Sequence, residues 1–335
     1  MERNMTEKKP ILVVMTPVRN EAWVLRAFLE ATSLWADYII IADQMSTDGS
    51  REIAMEYPKV KLIENNHKEM HQAATRRLLF EEVRKIEGDK ILFALDADEF
   101  LSGDFVDVDD WKKILCSRPG DLFWWKWMNL KKNDITKYST SRYYYWGAHE
   151  SDDLWKGEFP DNVIHEWRIP WIQTSADNQE YYLDGFCSIH LARVDEIRQR
   201  NKERFYQVST IAHDKKMSFV TMYRYYHIEE KLDYFDVPQD TFAFYEKNGL
   251  DIWKYINKTD EGQYYTSEIL NCFDKDGIKK YALLGIWDED WMKKNGIKDP
   301  RSIVQKLIHK YLSATMPYMN ALPVRMIDKV LKLFI

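Results

Sequence analysis

Three carboxylates close the run "ILFALDADEFL" from Ile91 to Leu101: Asp96, Asp98 and Glu99 follow directly on an apolar segment that ends at Leu95. Like charges at the end of a buried strand repel one another and are costly to desolvate, so something positive has to compensate them. A bound cation is one answer. Carboxylates at i and i+2 on an extended turn can be divided between a divalent ion and a ligand hydroxyl or metal-bound water. Hard oxygen ligands of this kind favour Mg²⁺ or Mn²⁺, with a diphosphate completing the coordination. The plain alternative is an acidic turn that caps the next stretch of backbone.

The elements that must position these groups read as a parallel α/β alternation over the first hundred residues. "ILVVMT" (Ile11 to Thr16) is a first strand, and "NEAWVLRAFLEATSLW" carries a helical stripe of Trp23, Val24, Ala27, Phe28 and Ala31. "YIIIAD" (Tyr38 to Asp43) is a second buried strand, followed by the turn "STDGS" and a short helix ended by Pro58. "VKLIEN" is a third strand, "HQAATRRLLFEEVRKIEG" a long helix, and "KILFALDADEF" the fourth strand. Ligands of parallel sheets bind at the C-terminal strand ends, where Asp43, Asp96 and Asp98 fall.

The ordered set "TPVRNEAWVLRAFLEA", "YIIIADQMSTDGSREIA", "AATRR" and "ILFALDADEFL" resembles a family 2 glycosyltransferase of the GT-A fold. The resemblance is strong over residues 10–105 and weaker to about residue 210. It implies an α/β, Rossmann-like nucleotide-diphospho-sugar transferase fold, a mixed sheet flanked by helices. It also implies roles. Thr16, Pro17, Arg19 and Glu21 would form the turn that holds the nucleotide base and ribose, and Asp43 would accept a hydrogen bond from the base. Arg76 resembles the family's arginine near the nucleotide. Asp96 would contact ribose or donor sugar, and Asp98 would bind the metal. Glu21 and Asp48 could instead cap helices, and Arg76 could be a surface cation. Where many members read Asp-Asp-Gly-Ser-Thr-Asp, this chain has Asp43-Gln44-Met45-Ser46-Thr47-Asp48, so UDP is the default donor nucleotide only.

Inverting sugar transfer needs a base for the acceptor hydroxyl. "DNVIHEWRIP" offers Asp161, His165 and Glu166, and "YYYWGAHESDD" offers His149, Glu150, Asp152 and Asp153. "VIHEW" followed by "CSIHLARVDEIRQRNKERFYQ" resembles the order in transferases of bacterial lipopolysaccharide core and capsule, which selects Glu166 as the catalytic base and His190 as a second metal ligand. Glu166 could also be a solvated residue on an alternating strand, and His190 a satisfied core residue. Downstream Arg193, Arg198, Lys202 and Arg204 suit either an anionic ligand or a solvated helix face. Glu99, next to committed site residues, should point away from them and support the loop or the acceptor.

Composition sets the outer bounds. A net charge of -6 gives no electrostatic footprint for nucleic acid. The 13 Trp and 20 Tyr supply amphipathic rings of the kind that line sugar sites, chiefly between Phe123 and Trp171. Cys116, Cys187 and Cys272 are widely spaced and odd in number, so they outline no disulfide framework or metal knuckle, which fits a reducing, cytoplasmic setting. The expected organisation is a transferase domain over residues 8–225 and a helical extension over 226–335. The extension ends in "RMIDKVLKLFI", with Ile327, Val330, Leu331 and Phe334 on one stripe and Arg325, Asp328, Lys329 and Lys332 opposite. Such a helix packs on the domain, on a second copy, or on the anionic inner face of a membrane. The partners expected are a nucleotide-sugar donor and a glycan or lipid-linked acceptor. Two rival readings are a non-catalytic nucleotide- or glycan-binding domain and a haloacid-type phosphatase, whose paired aspartates belong on the first strand, not the fourth.

Overall fold

A computed structural model of the chain describes residues 9–67, 72–150, 168–169, 177–212, 217–227, 232–257 and 262–334. The alternation is as the sequence lays it out: β1 (Ile11–Val18), α1 (Ala22–Ser33), β2 (Tyr38–Asp43), α2 (Ser50–Met55), β3 (Val60–Glu64), α3 (Gln72–Val83) and β4 (Lys90–Ala94). The expected fourth strand is in fact two. β4 stops at Ala94, the chain turns through Asp96, Ala97 and Asp98, and β5 (Glu99–Leu101) leaves in a new direction. Then come α4 (Asp109–Leu115), the aromatic strands β6 (Leu122–Lys131) and β7 (Asp134–Glu150), and the short β8 (Glu180–Tyr182) and β9 (Ser188–His190). Beyond them lie α5 (Glu196–Ala212), α6 (Phe219–Tyr226), β10 (Phe235–Asp236), α7 (Ala243–Lys247), α8 (Gln263–Asp276), α9 (Glu289–Lys294), α10 (Ile303–Ala314) and α11 (Leu322–Leu331).

Among the described residues one sheet runs in the order β3-β2-β1-β4-β7-β6-β9-β5, with β8 beside β6 and β10 beside β7. The first four strands are parallel, and β7 then pairs antiparallel to β4, so the sheet is mixed, with helices on its faces. The period-2 alternation of the strands divides their side chains between two cores. Leu12, Val14, Ile39, Ile41, Ile91 and Phe93 pack with Phe28 and its neighbours on α1. Val13, Met15, Ile40, Ala42, Leu92 and Ala94 pack with Leu79, Phe80 and Val83 of α3. Both faces are covered, which is why these strands read as continuous apolar runs.

The chain divides into two compact units. The first comprises Met1–Val194 and Phe235–Thr259, the second Asp195–Tyr234 and Asp260–Ile335. The boundary expected at residue 225 therefore falls within α6 of the second unit. The returning segment of the first unit is part of its core: Phe244 packs against Phe105 at 4.5 Å and Tyr245 edge-on to Phe100 at 6.3 Å. Gly103 donates its N–H to Thr241 O at 2.8 Å, and Phe244 donates to Gly103 O at 3.1 Å. In the second unit α5 packs on α8, and a smaller core gathers Val220, Tyr223, Leu312 and Met316. Among the described residues no helix is long and apolar enough to cross a membrane.

Candidate functional site

The turns after β1 and β2 are stitched together by side chains that accept backbone N–H groups. Asn20 N–H donates to Ser46 Oγ (2.8 Å), Thr47 N–H to Asn20 Oδ1 (2.7 Å) and Glu21 N–H to Ser50 Oγ (2.9 Å). Asp48 caps two helices at once, accepting from Ala22 N–H at the start of α1 (2.9 Å) and from Ser50 N–H at the start of α2 (3.0 Å). Those N–H groups have no partner within their own helices, which is what a capping carboxylate supplies. Of the two acids expected either to cap or to serve a ligand, Asp48 caps. The Glu21 side chain does not cap; its Oε2 accepts from Trp23 Nε1 at 2.6 Å. Asn20 and Met45 hold the turns in the left-handed region, at φ 55° and 52°. Met45 occupies the place where the commoner pattern has glycine, the residue that takes this conformation without steric cost.

Thr16 and Asp43 sit on adjacent parallel strands, with Val18 level with Asp43. Both side chains are fully buried. Asp43 Oδ2 accepts from Arg51 Nη1 (2.9 Å) and Ser46 N–H (3.2 Å), and Arg51 spans on to Glu64 (3.0 Å). Hydrogen bonding to Asp43 raises the pKa of Arg51 above that of a free guanidinium. Asp43 Oδ1 and Thr16 Oγ1 are buried with no hydrogen-bond partner among the described residues. Buried polar atoms usually find a partner, and these two, near the ends of neighbouring strands, are acceptors that a ligand could complete. Pro17 and Arg19 continue the same strand end, partly exposed.

The charge problem of the acidic turn is met from within the chain. Arg168 is buried and donates from Nη1 to Glu99 Oε2 (2.5 Å) and Ala94 O (3.2 Å), and from Nη2 to Glu99 Oε1 (2.9 Å) and Asp96 Oδ2 (2.9 Å). Its guanidinium lies over the rings of Trp146 and Trp127, 4.4 Å and 5.2 Å from their centroids, a pair of cation–π contacts. Arg76 takes the other side of Asp96, Nη2 to Oδ1 at 3.2 Å, while its Nη1 is buried without a partner among the described residues. Glu99 supports the loop, accepting Asp96 N–H (2.7 Å) and Trp127 Nε1 (2.8 Å). Burial pushes the Glu99 carboxyl above its usual range against the pull of Arg168. Burial works against the charge on Arg168 in turn, and Asp96 and Glu99 outweigh it, holding its pKa above the free value.

With Asp96 and Glu99 neutralised internally, Asp98 stands beside His190. Asp98 is 4% exposed, and its Oδ2 lies 3.6 Å from His190 Nε2. His190 Nδ1 is 2.9 Å from Asn129 Oδ1, a contact that orients the ring. The imidazole stacks on Trp127 at 5.3 Å and 16°, and β9 pairs with β5 so that His190 lies opposite Glu99. A carboxylate and an oriented imidazole are a fitting pair of donors for a divalent ion, and Asn129 is the kind of second partner that fixes such a ring. Among the described residues no three His, Cys, Asp or Glu side chains gather to hold a metal.

The candidate base Glu166, with Asp161, His165, Asp152 and Asp153, lies outside the described residues. The two other candidates fall at the wrong place. Because β7 runs antiparallel to β4, His149 pairs with Ile91 and Glu150 with Lys90, at the start of β4, whereas the acidic turn follows its end. His149 Nδ1 meets Ser117 Oγ at 2.9 Å, and Glu150 lies 3.6 Å from the buried Lys90. Arg198 and Arg204 belong to the second unit and are buried, neither solvated nor on a strand end; Arg204 pairs with Asp288 at 2.6 Å. Arg51 and Arg168 were not singled out from sequence. The three unbalanced acids were the signal for Arg168.

Residues 13–107, spanning β1 to β5, match the family model described as glycosyl transferase family 2. That stretch holds Thr16, Asp43, Arg76, Asp96 and Asp98 and stops short of Arg168 and His190. Comparison with curated proteins finds no match. Among solved structures the chain is similar to a 4-diphosphocytidyl-2C-methyl-D-erythritol synthase at 12% identity and a TM-score of 0.24, over 28% of this chain and 48% of that one, about half its length. It is also similar to HddC from Yersinia pseudotuberculosis at 11% identity and a TM-score of 0.34, over 55% of this chain and 94% of that one.

Proposed function

We propose that the chain is an inverting glycosyltransferase that moves a sugar from a nucleoside-diphosphate donor to a hydroxyl of a glycan or lipid-linked acceptor in cell-surface polysaccharide assembly. The family 2 match over the first five strands supports a nucleotide-sugar transferase. One observation carries the reading further. On the adjacent ends of β2, β1 and β4, partnerless buried atoms of Asp43 and Thr16 stand next to an acidic turn in which Asp96 is clamped by two arginines and Asp98 faces His190. Neighbouring strands are about 4.8 Å apart, so three strand ends span roughly 10 Å, the reach of a nucleoside with its first phosphate.

In this reading Asp43 Oδ1 accepts an N–H from the base, uracil by default, and Thr16, Pro17, Arg19 and Glu21 frame base and ribose. Asp96, with both oxygens already oriented, accepts a ribose or donor-sugar hydroxyl, and the buried Nη1 of Arg76 is a donor for the nucleotide. Asp98 and His190 would hold a divalent ion, Mn²⁺ more readily than Mg²⁺ because imidazole is among the donors; when bound it supplies positive charge for the departing diphosphate. Glu166 takes the proton of the acceptor hydroxyl as its oxygen bonds to the anomeric carbon and the bond to diphosphate breaks. The double arginine clamp also argues against a phosphatase, since a carboxylate engaged at both oxygens is poorly placed to attack phosphorus.

Thermal shift with UDP, GDP and CDP and their sugars, with and without Mn²⁺, tests donor binding, because a ligand of the folded state at 100 times its Kd adds about 2.7 kcal/mol. Asp98→Asn should remove the Mn²⁺-dependent part of the shift. Glu166→Gln should keep donor binding and lose transfer. If no nucleoside diphosphate shifts the transition, the transferase reading fails. Binding without any release of nucleoside diphosphate would identify a binding domain instead.

A further inference from the structure

The last two helices of the second unit carry an apolar surface that the chain leaves uncovered. Of the twenty-one large apolar side chains exposed among the described residues, ten lie between Ile303 and Phe334. The reason is the rotation of α11. Its inward face is Val324, Asp328 and Leu331, at i, i+4 and i+7, and the acid in that row is buried. Asp328 accepts from Arg224 Nε and Nη2 (3.0 Å each) and from Tyr311 OH (3.1 Å), while Arg224 Nη1 also reaches Leu312 O at 2.7 Å. A buried bidentate pair of this kind fixes which side of the helix faces in. The sequence stripe Ile327, Val330, Leu331 and Phe334 is thus not a packing stripe. Leu331 alone of the four is partly covered, and Phe334 and its neighbour Leu333 are 79% and 78% exposed. On α10, Ile303, Val304 and Leu307 share one face and are 61–80% exposed.

Charge decides what fits this surface. Residues 303–334 contain five Lys or Arg, namely Lys306, Lys310, Arg325, Lys329 and Lys332, all exposed, and one acid, the buried Asp328. The span therefore presents no exposed carboxylate, in a chain whose net charge is -6. Lys306 pairs with Asp299 just before the span (3.1 Å), so the cations that stand with the apolar side chains of α11 are Arg325, Lys329 and Lys332, and such interleaving matches a surface that is apolar below and anionic above.

We propose that α10 and α11 form a docking face for the headgroup layer of an anionic membrane, with Leu333, Phe334 and Val330 entering the acyl boundary and Arg325, Lys329 and Lys332 meeting lipid phosphates. The inference rests on the second unit alone and is independent of the transferase reading. The test is flotation of the full chain with vesicles of phosphatidylcholine, with and without phosphatidylglycerol, alongside sedimentation analysis without lipid. The chain should float with the anionic vesicles and be released by salt. Val330→Glu with Leu333→Glu should lower partitioning roughly tenfold or more, since two apolar anchors are lost. Lys329→Glu should lower it about fivefold or more, the weight of one cation at such a surface. All these positions are exposed, so the thermal midpoint should stay unchanged and a folding defect is read separately. Failure to float, or equal binding to both vesicles with Lys329→Glu silent, overturns the proposal. So does a dimer in solution that Val330→Glu dissociates, which would assign the face to a second copy.

Discussion

Removing the internal cation of the acidic turn should do more damage than removing any one of the acids. Arg168→Met keeps much of the volume between Trp127 and Trp146 but leaves Glu99 and Asp96 without the guanidinium that donates to both. Glu99 is about 1% exposed, so its charge has nowhere to hydrate. Breaking a buried pair from one side costs roughly 3–5 kcal/mol, whereas replacing both members is close to neutral. Urea unfolding should therefore show a large loss for Arg168→Met and recovery of most of it in Arg168→Met with Glu99→Gln. The loss should also depend on pH. Without Arg168, the pull that opposes burial and the neighbouring Asp96 charge is largely lost, and the folded-state pKa of Glu99 rises further above the unfolded value. A group with a raised folded pKa contributes stability below the unfolded pKa and loses it as pH rises through the folded value. The deficit of Arg168→Met should thus be small near pH 5 and grow toward pH 8, by up to about 1.4 kcal/mol per unit for one proton. A deficit under about 1 kcal/mol, a flat pH profile, or no recovery in the double variant would refute the argument that Arg168 neutralises this turn.

Two further outcomes follow from the strand-end turns. Asp43→Asn should weaken nucleotide binding by roughly 10- to 100-fold, the weight of one charge-assisted hydrogen bond, measured by calorimetric titration; unchanged affinity would take the base-recognition role away from Asp43. Met45→Gly should raise the thermal midpoint, since it relieves a left-handed residue worth about 1–2 kcal/mol less the added freedom of the unfolded chain, while Met45→Ala should not. If both substitutions act alike, the effect lies in the thioether and not in the backbone.

The positions of Asp43, Asp96 and Asp98 at strand ends were legible because apolar runs with polar terminators report strands and their exits directly. The break of the fourth strand after Ala94 was not, because "DADEF" keeps the alternation of an extended chain and only the pairing of β5 with β9 shows the change of direction. Arg168 was invisible as a partner since it lies 69 and 72 residues from Glu99 and Asp96, and local patterning carries no register over such separations. For the same reason sequence could offer His149 and Glu150 as bases. Only the antiparallel pairing of β7 with β4 reveals that they meet the wrong end of the sheet. The rotation of α11 was not legible because a hydrophobic stripe suits a domain, a second copy or a membrane alike, and the buried Arg224–Asp328 pair that turns the helix joins residues 104 positions apart.

The return of Phe235–Thr259 to the first unit bears on how the chain is made. Phe100 and Phe105 are complete in the nascent chain long before Phe244 and Tyr245, which cover them, and the whole first segment of the second unit is synthesised in between. The unit that holds the acidic turn can begin to fold early but can close only after residue 245 is available. A fragment ended at residue 225 would carry the five strands of the family match and still leave that aromatic core open to water. Its expected fate is aggregation, not a minimal transferase.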